Sequence, residues 1–155
     1  MKLVIRGAVA GLAGTTVMSG AMFLANKTGM APGGPPPRDI TENLQRKLGV
    51  RDRLPEPAFE ASWAMLHFAY GTASGVPCAL TQKVLDRDQP FLIGTLFGVL
   101  LWAVGYCGWL PAFGLYPPPT RLPKRKVGLE LIATHLIYGT ATVLADRVLR
   151  SKSEP

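Results

Sequence analysis

Six side chains in this sequence could do chemistry inside an apolar protein: His67, Tyr70, His135, Tyr138 and the acids Glu60 and Glu130. Four of them fall in a repeated motif. His67-Phe68-Ala69-Tyr70-Gly71-Thr72-Ala73 is echoed by His135-Leu136-Ile137-Tyr138-Gly139-Thr140-Ala141. An imidazole titrates near neutrality, serves as donor or acceptor, and ligates metals. An ionisable group within an apolar segment marks a functional site by default, because burying it is costly. Three chemistries fit. Each histidine could make an interhelical hydrogen bond, with Tyr70, Tyr138, Thr72 or Thr140 as partner, since polar side chains commonly join helices in membranes. The four motif residues could instead line a polar cleft for a small ligand or lipid headgroup, with or without transport. Last, His67 and His135 could ligate a haem or metal axially. No Cys-x-x-Cys-His sequence accompanies that reading, so no resident cofactor or metal is expected.

Enzymatic chemistry finds no purchase. The sequence has no Gly-rich phosphate loop, Gly-x-Ser-x-Gly elbow, His-Glu-x-x-His pair or carboxylate cluster. Gly71-Thr72-Ala73-Ser74-Gly75 places a serine among glycines without a positioned base. Cys78 and Cys107 stand at no metal-ligand spacing and read as small apolar fillers.

The motifs must be positioned by helices, and the charge distribution says in what medium. Of 155 residues, 48% are hydrophobic and 17% charged, below the roughly 25% charged share of soluble domains. Charges are absent between Gly7 and Ala25, Ala61 and Gln82, Pro90 and Thr120, and Leu131 and Ala145. A bilayer crossing needs about 20 apolar residues, and each of these segments has room for one. A soluble bundle would need a charged face on every helix. The expectation is an all-α integral membrane four-helix bundle, a single domain over 1–155, with crossings at about 3–27, 58–83, 91–113 and 127–149. The net charge of +7 comes from Lys and Arg in loops and at segment ends, where they meet anionic lipid headgroups. Nucleic-acid binding would need a basic stripe with stacking aromatics. Lys2 and Arg6 before an apolar run resemble a signal peptide, but the run is long and broken by Gly11 and Gly14, so it is expected to stay as the first helix.

The halves read as two parallel-repeat helical hairpins, about 1–84 and 90–150. Each opens on a small-residue pair, Gly7-x-x-x-Gly11 and Gly94-x-x-x-Gly98, and passes through a triple proline, Pro35 to Pro37 and Pro117 to Pro119. With Gly71, Gly75 and Gly139, these glycines are expected to form helix-packing seams, since small residues let backbones approach in lipid. Gly7, Gly11, Gly14 and Met18 are placed on one face. Gly29 and Pro32 should stop the first helix, Pro77 should kink the second, and Pro111 should bend or end the third. The short turn Asp86-Arg87-Asp88 should make the second and third helices antiparallel neighbours. In the first long loop, Asp39-x-x-Glu42 resembles a capping box opening a short amphipathic helix. Its Ile40, Leu44 and Leu48 share a side that lies on the membrane surface or packs on the loop. The two histidines should sit at similar depth, facing each other across a pseudo-twofold axis.

The first-helix run Gly7-Ala8-Val9-Ala10-Gly11-Leu12-Ala13-Gly14, Pro36-Pro37-Arg38-Asp39-Ile40, Gly108-Trp109-Leu110-Pro111 and the two His-x-x-Tyr-Gly motifs resemble small uncharacterised bacterial inner-membrane proteins of the YagU type, a domain of unknown function. The resemblance implies a multi-pass protein of the bacterial inner (plasma) membrane and transfers no catalytic residues. The expected role is non-enzymatic: structural, accessory or stress-related. The alternative is a small oligomeric transporter or channel-like protein with a polar cleft at His67 and His135. Expected partners are membrane lipids with anionic headgroups, and a second copy of the chain or a membrane complex.

Overall fold

The computed structural model describes residues 1–30, 34–85 and 89–151, the side chains of Leu85, Glu130 and Leu131 excepted. Pro32, the Asp86-Arg87-Asp88 turn and the Glu130 side chain therefore lie outside the described residues. Those described form five helices and no strand: α1 (Leu3–Lys27), α2 (Pro36–Lys47), α3 (Glu56–Leu85), α4 (Pro90–Ala112) and α5 (Lys126–Ser151). Single 3-10 turns occur at Arg51–Arg53 and Pro119–Arg121.

Local sequence explains the ends. Past α1, Gly29 takes a φ of +70°, and past α2, Gly49 takes +68°, a left-handed conformation that glycine adopts without a Cβ penalty. Pro36 opens α2 in the first turn, where its missing N–H is no loss. Asp39 consequently lies inside the first turn, and Asp39-x-x-Glu42 is not a capping box; no side chain caps this helix. α3 continues as one helix through Pro77. α4 is not uniform: Pro90–Trp102 is α-helical, Ala103–Trp109 widens to a π-helix with non-helical torsions at Gly108, and Leu110–Ala112 closes it. α5 likewise begins as a π-helix over Lys126–Ala133 before becoming α-helical at Thr134.

Alternating chain direction puts α2, both triple prolines and the basic Arg121–Lys126 stretch at one end of the molecule, the loop end. The start of α1, the end of α3 and the end of α5 meet at the other. Among the described residues, three helices are long and apolar enough to cross a membrane, α1, α4 and α5. α3 has the length, at 30 residues, but His67, Tyr70, Gly71, Thr72, Ser74, Gly75 and Gln82 dilute its hydropathy. On length and composition alone, three of the four expected crossings are shown.

Glycines set the packing. α1 lies against α3 on one face and α5 on another, and α4 packs on α5. A Cβ built on Gly75 would run into the Gly7 carbonyl oxygen and Gly11 Cα, and one on Gly11 would lie 2.9 Å from Gly75 Cα. In the second seam a Cβ on Gly139 would strike the Gly94 carbonyl oxygen, and one on Gly94 would lie 2.5 Å from Thr140 Cα. Gly71 abuts Thr15, and Gly98 abuts the His135 carbonyl. Gly14 does not share the Gly7 and Gly11 contact; it faces Tyr138 and Thr142 of α5. α3 and α4, expected as antiparallel neighbours, share no extended contact, because the glycine face of α4 is taken by α5.

The contacts also place the two halves in register, one turn away from the sequence motif. Gly75 meets Gly7 and Gly11 as Gly139 meets Gly94 and Gly98. Position 75 thus matches 139, and His135 matches Gly71 rather than His67. The offset of four residues is about 6 Å along a helix. The histidines are not at equivalent positions in their seams, and no axis pairs them.

Candidate functional site

Because α3 and α4 do not close on each other, a cavity of about 220 Å³ remains between them. Its floor is Thr15 and Met18 of α1 with Tyr138 and His135 of α5, and α2 roofs it with Pro37, Ile40, Thr41 and Leu44. α3 contributes Leu66, His67, Tyr70 and Gly71; the π-helical part of α4 contributes Gly105, Tyr106 and Trp109. All four motif residues that could do chemistry thus line one cavity. π-Helical turns recur at functional sites, where they re-aim side chains inward.

The four sit in different surroundings. His67 faces Ser19, its Nε2 3.1 Å from the Ser19 hydroxyl. The buried His135 presents its ring to Tyr106 edge-on, with centroids 5.5 Å apart. The Tyr138 hydroxyl donates to the Gly71 carbonyl oxygen at 2.6 Å, linking α5 to α3. Tyr70 is 45% exposed at the cavity mouth, its ring 6.2 Å from Trp109. These contacts join residues of one motif to elements outside it, or across to the other motif. None joins His67 to Tyr70 or His135 to Tyr138.

A second cavity of about 280 Å³ lies on the other side of His67, lined by Ser19, Phe23, Ala25 and Asn26 of α1, Gly34 to Pro36, Trp63, and Leu129 and Thr134 of α5. His67 is the one described residue that borders both.

The roof is held by charge. Arg38 bonds Glu60 at 2.8 Å and Glu56 at 2.9 Å, and Arg51 bonds Glu56 at 2.8 Å. Both guanidiniums lie over the ring of the fully buried Phe59, 4.8 and 4.0 Å from its centroid. Glu60, one of the two acids singled out in the sequence, is thus a structural partner that also accepts a bond from Trp63 Nε1 at 2.6 Å. Ile40 and Leu44 pack on Tyr106, Leu110, Leu115 and Tyr116, while Leu48 is exposed; α2 is a lid packed on the loop end. The hydrogen bond from Arg46, aided by the charges of Arg46, Arg51 and Arg38, holds the Glu42 carboxyl below its ordinary range. Burial pushes the Asp39 carboxyl up, against the pull of Lys126 and Arg38.

One polar cluster escaped sequence reasoning. Arg6 Nε bonds Asp146 Oδ1 at 2.8 Å, and Gln82 Nε2 donates to Asp146 Oδ2 at 3.2 Å; all three residues are buried. The signal was present in the placement of Arg6 and Asp146 at the edges of charge-free segments that end on the same side. Among the described residues, no group of three or more His, Cys, Asp or Glu could hold a metal.

Helices and cavity together describe an all-helical protein with membrane-length apolar helices and a mostly apolar cavity under an ion-paired lid. Residues 1–154 match a family described as "Family of unknown function (DUF6789)", and the chain belongs to it. No match links it to the YagU type. No curated protein and no solved structure matches the chain significantly.

Proposed function

We propose that this is a non-enzymatic, multi-pass protein of the bacterial inner membrane that binds an amphiphilic small molecule in the cavity beneath α2. The observation that carries it is the convergence of His67, Tyr70, His135 and Tyr138 on one mostly apolar cavity, the composition of sites that fix a ligand by a few placed polar groups. α3 is taken to cross the membrane with the other three long helices. Its Ser74, Gly75 and Gln82 are buried inward, while Met65, Leu80 and Val84 point out, so those three inward groups would not meet lipid.

Binding is preferred to transport. Below the cavity the helices close on the glycine seams, and the far end is plugged by Arg6, Gln82 and Asp146. It is also preferred to haem ligation. His67 Nε2 is engaged by Ser19, and the glycine seams set His67 and His135 about one helical turn out of register.

The test is native mass spectrometry of the protein released from mild detergent, wild type against Gly105→Leu. Gly105 lines the cavity, and a Cβ there meets nothing closer than 3.9 Å, so a larger side chain at this position has room to start and takes up cavity volume. A bound mass in wild type that Gly105→Leu loses, at equal helicity and oligomeric state, is the expected result. Bare protein in both would overturn the reading.

A further inference from the structure

The two cavities at the loop end are neighbours separated by a thin wall. Three pairs of consecutive residues divide between them: Met18 and Ser19, Pro36 and Pro37, His135 and Thr134. His67 borders both, tied by its Nε2 to the Ser19 hydroxyl on the second side. A molecule that fills both must fork around His67 and come together near the start of α2.

The basic stretch Arg121, Lys124, Arg125 and Lys126 lies at that end, and two of its cations have contacts close to the cavity linings. Arg125 Nη2 lies 3.5 Å from the Gly29 carbonyl oxygen, just past the end of α1 that lines the second cavity. Lys126 Nζ lies 6.0 Å from the ring of Tyr116, whose ring is 5.4 Å from Tyr106 of the first cavity. A forked apolar volume at the same end of the molecule as these cations complements a two-chain lipid with an anionic headgroup. Both π-helical segments border these volumes, one through Gly105, Tyr106 and Trp109, the other through Leu129.

We infer that the bound amphiphile is a diacyl lipid with an anionic phosphodiester headgroup, one chain entering each cavity on either side of His67 and the phosphate lying by Arg125 and Lys126. This rests on the binding function proposed above and names its ligand class. Each cavity holds only the upper part of an acyl chain, so the remainder leaves sideways into the surrounding lipid.

The experiment reconstitutes the full chain in vesicles of dioleoylphosphatidylglycerol, dioleoylphosphatidylcholine and oleoyl-lysophosphatidylglycerol in equal amounts, and reads retained lipid by native mass spectrometry. One diacyl phosphatidylglycerol per chain is expected, retained roughly tenfold over each of the others, and the Arg125→Gln/Lys126→Gln double variant should remove most of the headgroup preference. Ala25→Leu, which fills part of the second cavity, should remove the preference for two chains and leave the single-chain lipid bound. Equal retention of the choline lipid, equal retention of the single-chain lipid, or indifference to Ala25→Leu in a protein of unchanged helicity would each overturn the inference. If a bound amphiphile still responds to Gly105→Leu in those cases, the binding function stands and only the ligand class falls. If nothing is retained by wild type, both fall.

Discussion

The Tyr138 hydroxyl donates a hydrogen bond to the Gly71 carbonyl oxygen at 2.6 Å, so the tyrosine of the second His-x-x-Tyr-Gly motif is bonded to the glycine of the first. The repeated motif therefore acts as two halves of one contact rather than as two copies of one site. Tyr138 is buried, while its counterpart Tyr70 stands at the cavity mouth.

Removing that hydroxyl should be felt and removing its counterpart should not. Tyr138→Phe leaves a buried carbonyl without this donor and is expected to cost about 1 kcal/mol. Tyr70→Phe should change stability by less than about 0.5 kcal/mol. Thermal unfolding in one detergent checks both; equal shifts would show that the Tyr138 bond does not join α5 to α3.

The Arg6 and Asp146 pair makes a sharper claim. With side chains 10% and 1% exposed, breaking it by Arg6→Ala or Asp146→Ala leaves an uncompensated buried charge, at about 3–5 kcal/mol. The double variant Arg6→Met/Asp146→Leu should recover most of that loss. A double variant as unstable as the sum of the single changes would mean the two side chains act independently.

Glycine substitutions should divide by position. Gly75→Ala and Gly139→Ala drive a methyl into a facing backbone and should destabilise by at least about 1–3 kcal/mol. Gly20→Ala, within α1 and with nothing inside 4 Å, should stabilise by about 0.5–1 kcal/mol through helix propensity. Urea or thermal denaturation of the three variants distinguishes seam from spacer.

Acidification should move the lid in two opposed ways. Glu42 has its carboxyl held below the ordinary range by Arg46, so its contribution is full above its unfolded value near 4.3 and fades as pH falls through its lower folded value. Asp39 has its carboxyl raised by burial. The folded state then holds that proton more tightly, and stability rises as pH falls through the raised value toward about 3.9. Asp39→Asn should be more stable than wild type at pH 7, with the gap closing in acid; Glu42→Gln should be less stable at pH 7, with its gap closing only further down. Melting curves of both variants that run parallel to wild type across this range would refute the assignment.

Helix existence and extent were legible from charge-free stretches bounded by charge, proline and glycine, because a helix in or near an apolar medium cannot tolerate unpaired charge. The packing glycines were legible as well, since Gly7-x-x-x-Gly11 and Gly94-x-x-x-Gly98 place small residues on one helical face. The cavity was not. It exists because α4 spends its glycine face on α5, leaving α3 unaccompanied, and a sequence does not say which of two neighbours a small face will choose. The duplicated motif also misled in one respect: similarity placed His67 opposite His135, while seam contacts set the register one turn away.

An all-helical chain with apolar segments of membrane length, small-residue faces and a basic loop end can be read from the residues directly, because these follow from periodicity and from the cost of burying charge. Tertiary structure alone decided that Arg6 finds Asp146 across 140 positions, that Tyr138 reaches Gly71, and that His67 stands between two cavities. Each of those depends on how far one helix slides along another, and that is fixed by backbone contact at a few glycines rather than by anything local in the chain.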